Sequence, residues 1–209
     1  MKKQLLTLFW LLLAVLPASA QTLREAWVAM PDSLLPYLDK GKRAQLLELN
    51  DARMPAEADN KLQGKSRLDT LLQNFLQVSA SESMVLQMKL LPSQPAEGQG
   101  ADSVLCVVQT VKGPCPESRV RLFSRSWELL SDTCYRDKKL LMRPDTISAE
   151  RFAELLESIP LVMWKSDLLP DADELVLTPS LPMLFVEEKE KKQPLLLQIN
   201  LKWNGKTFK

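Results

Sequence analysis

Three segments in the middle of the chain, Met84 to Leu91, Ser103 to Val111 and Arg119 to Ser124, limit most strongly what this sequence can fold into. In the first, Leu86, Met88 and Leu90 alternate with Gln87 and Lys89 until Pro92 stops the run, a period of two that belongs to a half-covered strand. In the third, Val120 and Leu122 are expected inward and Arg119 and Arg121 outward. The stretch Pro92 to Ala101 reads as a loop, and Gly113-Pro114 as the turn between the second and third segments. Successive short strands of this kind pair as an antiparallel meander. With one apolar face they need a cover, which the helices preceding them can supply.

Those helices carry local signals. Thr22-Leu23-Arg24-Glu25 has the form of a capping box, in which the hydroxyl and the carboxylate each satisfy a backbone donor. Trp27 and Met30 follow at helical spacing, and Met30 to Leu38, punctuated by Pro31 and Pro36, reads as a bent connector with apolar anchors. The spacing predicts a second helix over Lys42 to Arg53, with Ala44, Leu46, Leu47 and Leu49 facing in and the charged residues forming a wet face.

Residues 62–75 contain Gly64-Lys65-Ser66, which raises the question of a phosphate-binding loop. Such a loop needs a glycine five positions earlier and a buried strand before it. That position is Asp59, whose charge would repel phosphate, and Pro55 to Lys61 does not read as a buried strand. Two local readings stand side by side. In one, Gly64 makes a turn, Ser66 caps a helix with Asp69 returning the bond, and Leu68, Leu71, Leu72 and Phe75 share a helical face; in the other, Thr70 to Val78 is extended and pairs with the next strand.

The second half repeats the order. Ser148 is placed to cap a helix ending at Ile159, with Phe152, Leu155, Leu156 and Ile159 on one side. Candidate strands follow near Leu161 to Lys165, Glu174 to Leu177, Met183 to Glu187 and Leu195 to Trp203, and in the last Leu195, Leu197, Ile199, Leu201 and Trp203 share a face before an Asn204-Gly205 turn. The mixed charges of Glu187 to Lys192 read as a solvated hairpin tip. The fold class expected is α+β: helices followed by an antiparallel β meander, twice, over 21–130 and 131–209, packed together as one body.

Residues 1–20 have a basic start, an apolar run from Leu5 to Leu16 and an Ala18-Ser19-Ala20 ending, the pattern of a secretory signal peptide cleaved after Ala20. The run is too short to span a bilayer, and a periplasmic or secreted product with no membrane insertion after cleavage is expected. The 27 lysines and arginines nearly balance the 26 acidic residues, so no broad field favours nucleic acid.

The chain contains no histidine, which excludes a Ser-His-Asp triad, a Cys-His pair and any His-bearing zinc site. Of the three cysteines, Cys106 lies in an apolar run and is expected as a buried hydrophobe, while Cys115 and Cys134 are the pair expected in a disulfide, if one forms. Asp167, Asp171, Asp173 and Glu174 miss the calcium-loop pattern, because no glycine stands at the bend and Pro182 replaces the bidentate glutamate. Arg119, Arg121, Arg125 and Arg136 offer an anion strip or, more simply, an outward strand face, and Trp27, Trp127, Trp164 and Trp203 read as core fillers. No catalytic, cofactor-binding or metal residue is assigned, and no cofactor is expected.

Met30 to Leu38, Leu86 to Leu91, Asp102 to Val108 and Pro116 to Arg119 together resemble a family of secreted proteins of unknown function from the Bacteroidales. The resemblance covers most of the chain after the leader and implies an envelope-directed α+β protein. It supplies no activity to carry over. The function expected is therefore that of a non-catalytic protein binding a protein, peptide or envelope component. A histidine-free, carboxylate-dependent envelope hydrolase is the alternative, and a structural subunit of an envelope assembly a third possibility. A hydrolase would show a deep cleft holding acids of perturbed pKa, whereas a binding module would show an exposed apolar patch or an open sheet face.

Overall fold

The computed structural model describes residues 21–94, 103–182, 191–192 and 195–209. The leader, the strand expected at Met183 to Glu187, and most of the Pro92 to Ala101 loop and of the Glu187 to Lys192 charge run lie outside these residues.

The order is helix α1 (Leu23–Ala29), a short 3-10 turn (Asp32–Leu34), helix α2 (Lys40–Asp51) and then seven strands: β1 (Glu57–Asp59), β2 (Lys65–Leu71), β3 (Phe75–Ser81), β4 (Met84–Pro92), β5 (Ser103–Val111), β6 (Glu117–Phe123) and β7 (Leu129–Thr133). They form one antiparallel sheet in strict chain order. Helix α3 (Ala149–Ser158) follows, then β8 (Met163–Leu168), β9 (Glu174–Ser180) and β10 (Ile199–Lys202), a second antiparallel sheet ordered β10-β9-β8. The fold is thus α+β with two helix-then-meander units. The first sheet continues through Thr133.

Local signals seat the helices where expected. Thr22 and Glu25 complete the capping box, and Ser148 accepts from the Arg151 amide at the start of α3. Trp27 is wholly buried, and its indole N–H donates to the Arg43 carbonyl at 3.1 Å, locking α1 onto α2.

The wet face expected for α2 has one exception. Arg43 is 1% exposed, and its guanidinium donates to the carbonyls of Val28, Met30 and Leu38 and to Asp32. A cation survives there because the bent connector turns its unpaired carbonyls toward it.

Residues 65–81 form a hairpin, which removes the helix and bears out the extended reading in part: Thr70 to Val78 is broken by the turn at 72–74, and only the part from Phe75 pairs with the next strand. Ser66 caps nothing: it is buried and donates to the Ala80 carbonyl at 2.6 Å, while Asp69 accepts from Arg67 and Ser79. Leu72, needed inward by a helix, is 44% exposed. Pairing on both sides outweighed the weak capping signal. Gly64 does sit in a turn, between β1 and β2, where its amide donates to the Asn60 side chain. A strand rather than a helix follows it, so the geometry is that of a hairpin and not of a phosphate loop.

The large sheet is covered on both faces. Leu76, Val78, Leu86, Met88, Leu105 and Val107 pack under α1 and α2. On the opposite side Cys106, Val108, Val120 and Leu122 meet Trp164, Leu168, Leu175, Leu177 and Ile159 of the second unit. Gln87 and Lys89, expected in solvent, are therefore buried at 7% and 1% exposure. Their polar groups join the sheets: Gln87 Oε1 accepts from the Leu168 amide at 2.8 Å, and Lys89 Nζ donates to the carbonyls of Leu169, Pro170 and Ala172.

The strand expected from Leu195 is regular only from Ile199. Before it the inward leucine is Leu196, with Leu197 39% exposed, so the shared face breaks there. Trp203 and Phe208 pair across the Asn204-Gly205 turn, and Gly205 has φ +90°.

Candidate functional site

A sheet ends in edge strands whose outer amides and carbonyls must be covered, blunted or used. The edges of this molecule differ in how they meet that need. Strand β1 carries Glu57 and Asp59 and lies against α2. On β8, the amides of Ser166 and Leu168 are taken by Ser118 Oγ and Gln87 Oε1, both at 2.8 Å, so side chains of the first sheet seal that edge. Beside β10, Lys202 and Lys209 exchange two backbone hydrogen bonds. Strand β7 pairs with β6 alone, and among the described residues no group meets its outer edge.

This open edge begins with two exposed apolar residues, where edges are usually blunted by charge. Leu129 and Leu130 are each 56% exposed. The register shifts between Leu122 and Phe123, which pair with Ser131 and Leu129, so Leu130 is the extra residue of a bulge. Leu130 lines a cleft of about 710 Å³ with Val104, Leu122 and Ser131 of the sheet, and with Ser93, Gln94, Gly205, Lys206 and Thr207. The Gly205 turn is pinned. Gln94 donates through its amide to the Gly205 carbonyl and through Nε2 to the Asn204 carbonyl, and Trp203 Nε1 donates to the Pro92 carbonyl at 2.5 Å.

A second groove of about 680 Å³ near the other end of β7 carries Glu117, Arg119, Asp132 and Arg136 in its lining, beside Gln109, Cys134, Met84 and Val111. Two forked ion pairs organise it. Arg119 meets Asp132 at 2.7 and 2.5 Å, and Arg136 meets Glu117 at 2.6 and 3.0 Å. The guanidinium of Arg119 holds the Asp132 carboxyl below its ordinary range, and that of Arg136 does the same for Glu117. Local burial, then the Glu117 carboxylate, pushes the Cys134 thiol up, away from the reactive thiolate.

The arginines singled out by sequence thus do not make one anion strip. Arg119 and Arg136 are consumed by carboxylates, and Arg125 contacts Ser103. Arg121, expected outward, is half-buried: it turns toward β5 to bond Gln109 and lies 5.8 Å over the Phe123 ring. Desolvation and then Arg119 lower its pKa.

The acidic cluster is likewise dispersed, with Asp167 on Lys165, Asp173 on Lys89 and Glu174 near Asn200. No group of potential metal ligands converges among the described residues. No disulfide joins Cys106, Cys115 and Cys134, so the pairing named for the case that one forms does not arise, and Cys106 is fully buried as expected. Trp27 and Trp164 fill the core, while Trp127 and Trp203 are half-buried against Phe123 and Phe208.

Sequence reasoning missed β7 altogether. Ser131-Asp132-Thr133 is polar throughout, and the bulge at Leu130 destroys the alternation that would have marked a strand. The adjacent exposed leucines were the one available signal.

The model of the family described as "Protein of unknown function (DUF3256)" matches residues 15–208. The fold is similar to that of a domain of an uncharacterized protein from Porphyromonas gingivalis W83, with a TM-score of 0.67 and 22% identity over 90% of this chain and 98% of that one. The likeness is one of fold. No curated protein matches the chain.

Proposed function

The chain belongs to this family of unknown function, and we propose that it is a non-catalytic binding protein that captures an extended polypeptide segment as an added strand along β7. The observation that carries the reading is that, among the described residues, the outer edge of β7 is open beside exposed Leu129 and Leu130, while the other edges are acidic, sealed by side chains or paired. Main-chain hydrogen bonds along such an edge supply affinity, and flanking pockets for alternate side chains supply selectivity. The clefts at Leu130 and at Asp132 lie beside the strand as that mode requires. The leader pattern at residues 1–20 supports action in the periplasm or outside the cell, on a protein or peptide of the envelope.

The hydrolase reading finds no comparable support. Among the described residues, the carboxyls that their surroundings shift, Glu117, Asp132 and Glu150, are all moved down, whereas a general acid near neutral pH needs a raised one.

Selection from a displayed library of random nonapeptides tests the proposal. Enriched sequences should be extended and rich in β-branched and apolar residues, and should lose binding to a Leu130→Asp variant of unchanged melting temperature. Enriched peptides that bind this variant as well as they bind the wild type would contradict it.

A further inference from the structure

Among the described residues, the cleft beside Leu130 has one charged residue in its lining, Lys206. This side chain is exposed at the tip of the C-terminal hairpin and forms no ion pair among the described residues. Its backbone is well held. The Lys206 and Thr207 amides both donate to Asn204 Oδ1, and the tip is bonded to Gln94 at the end of β4. Lys206 is therefore mounted on a braced turn and lines the same cleft as Leu130.

We infer that the segment added to β7 carries an acidic residue two positions from an apolar one, the apolar side chain entering the cleft and the carboxylate meeting Lys206. This rests on the strand-addition reading and specifies its partner. Residues two apart on a strand project from the same face, so an apolar residue at the cleft mouth brings its second neighbour, not its first, toward the same wall. A residue one position away projects to the opposite face, where Asp132 is paired with Arg119 and the half-buried Arg121 is taken up by Gln109 and the Phe123 ring. Charge complementarity on the cleft face thus favours an acidic group and disfavours a basic one.

The test uses synthetic nonapeptides of sequence Thr-Thr-Glu-Thr-Leu-Thr-Glu-Thr-Thr, fluorescein-labelled, together with the same peptide carrying lysine at both glutamates. Placing the charge on both sides of the leucine covers either strand direction. The wild-type protein should bind the glutamate peptide about fivefold more tightly than the lysine peptide at low salt, the scale of a rim ion pair. Lys206→Glu should reverse that order, while its melting temperature stays that of the wild type. Equal affinities that Lys206→Glu does not alter would overturn this inference and leave strand addition standing. Failure of both peptides to bind up to millimolar concentration would overturn the two together.

Discussion

The Nζ atom of Lys89, on the central strand of the large sheet, lies 2.6 Å from the carbonyl oxygen of Ala172, in the turn between β8 and β9 of the small one. The same ammonium reaches the Leu169 and Pro170 carbonyls and stands 3.3 Å from Asp173. One buried cation thus gathers a whole turn and holds the two sheets in register.

Lys89→Met keeps the stem and removes the donor, leaving three carbonyls that were turned toward it. A loss of about 3 kcal/mol is expected, read as a lower urea midpoint with an unchanged slope. Asp173→Asn should cost less than about 1 kcal/mol, since that carboxylate is 41% exposed. Equal losses for the two variants would show that the ion pair, not the carbonyl cage, matters.

Arg43 plays the corresponding part under the first sheet. Its fork bonds three carbonyls and Asp32 at once, a geometry that a lysine ammonium cannot reproduce. Arg43→Lys should therefore destabilise the protein by about 2 kcal/mol in denaturant unfolding despite keeping the charge. A variant as stable as the wild type would contradict the assignment.

The Arg136–Glu117 pair sets a pH dependence at the end of β7. Because the Glu117 carboxyl titrates below its ordinary value of 4.5 in the folded chain, its contribution is present above that value. The contribution is lost as pH falls through the folded value. Arg136→Gln should raise the Glu117 pKa toward 4.5, as read by carbon-13 NMR of the side-chain carboxyl. Titration of wild-type Glu117 at its ordinary value would remove the basis for this.

Gly205 has φ +90°, and a Cβ there would stand 2.5 Å from Gln94 Cγ. Gly205→Ala should cost roughly 1–2 kcal/mol, which lowers the melting temperature by about 3–6 °C. It should also shift the fluorescence of Trp203, whose indole is held by the Pro92 carbonyl. An unchanged melting temperature would mean that the hairpin tip is not braced as described.

Much of this architecture was legible where local signals and tertiary packing agree. The capping box at Thr22, the stripe through Leu155 and Ile159, and the alternation at Val120 and Leu122 all reappear in the structure. The reading failed where tertiary partners reverse a residue's usual preference. Lys89 and Arg43 look like solvent residues until the backbone carbonyls that receive them are known, and those come from turns up to 83 residues away. Ser66 looks like a cap until a second strand lies beside it. The site was the least legible part, since an edge is a property of where a sheet stops, and no residue pattern announces it. The bulge at Leu130 hid even the strand.

Hydrogen exchange of the amides of residues 129–133, measured by mass spectrometry with and without the glutamate–leucine nonapeptide, tests the central claim most directly. The account predicts rapid exchange of the outward amides of β7 in the free protein, slowed at least about tenfold at saturation, with residues 57–59 of β1 unchanged. Saturating binding that leaves residues 129–133 exchanging as before would contradict strand addition at this edge.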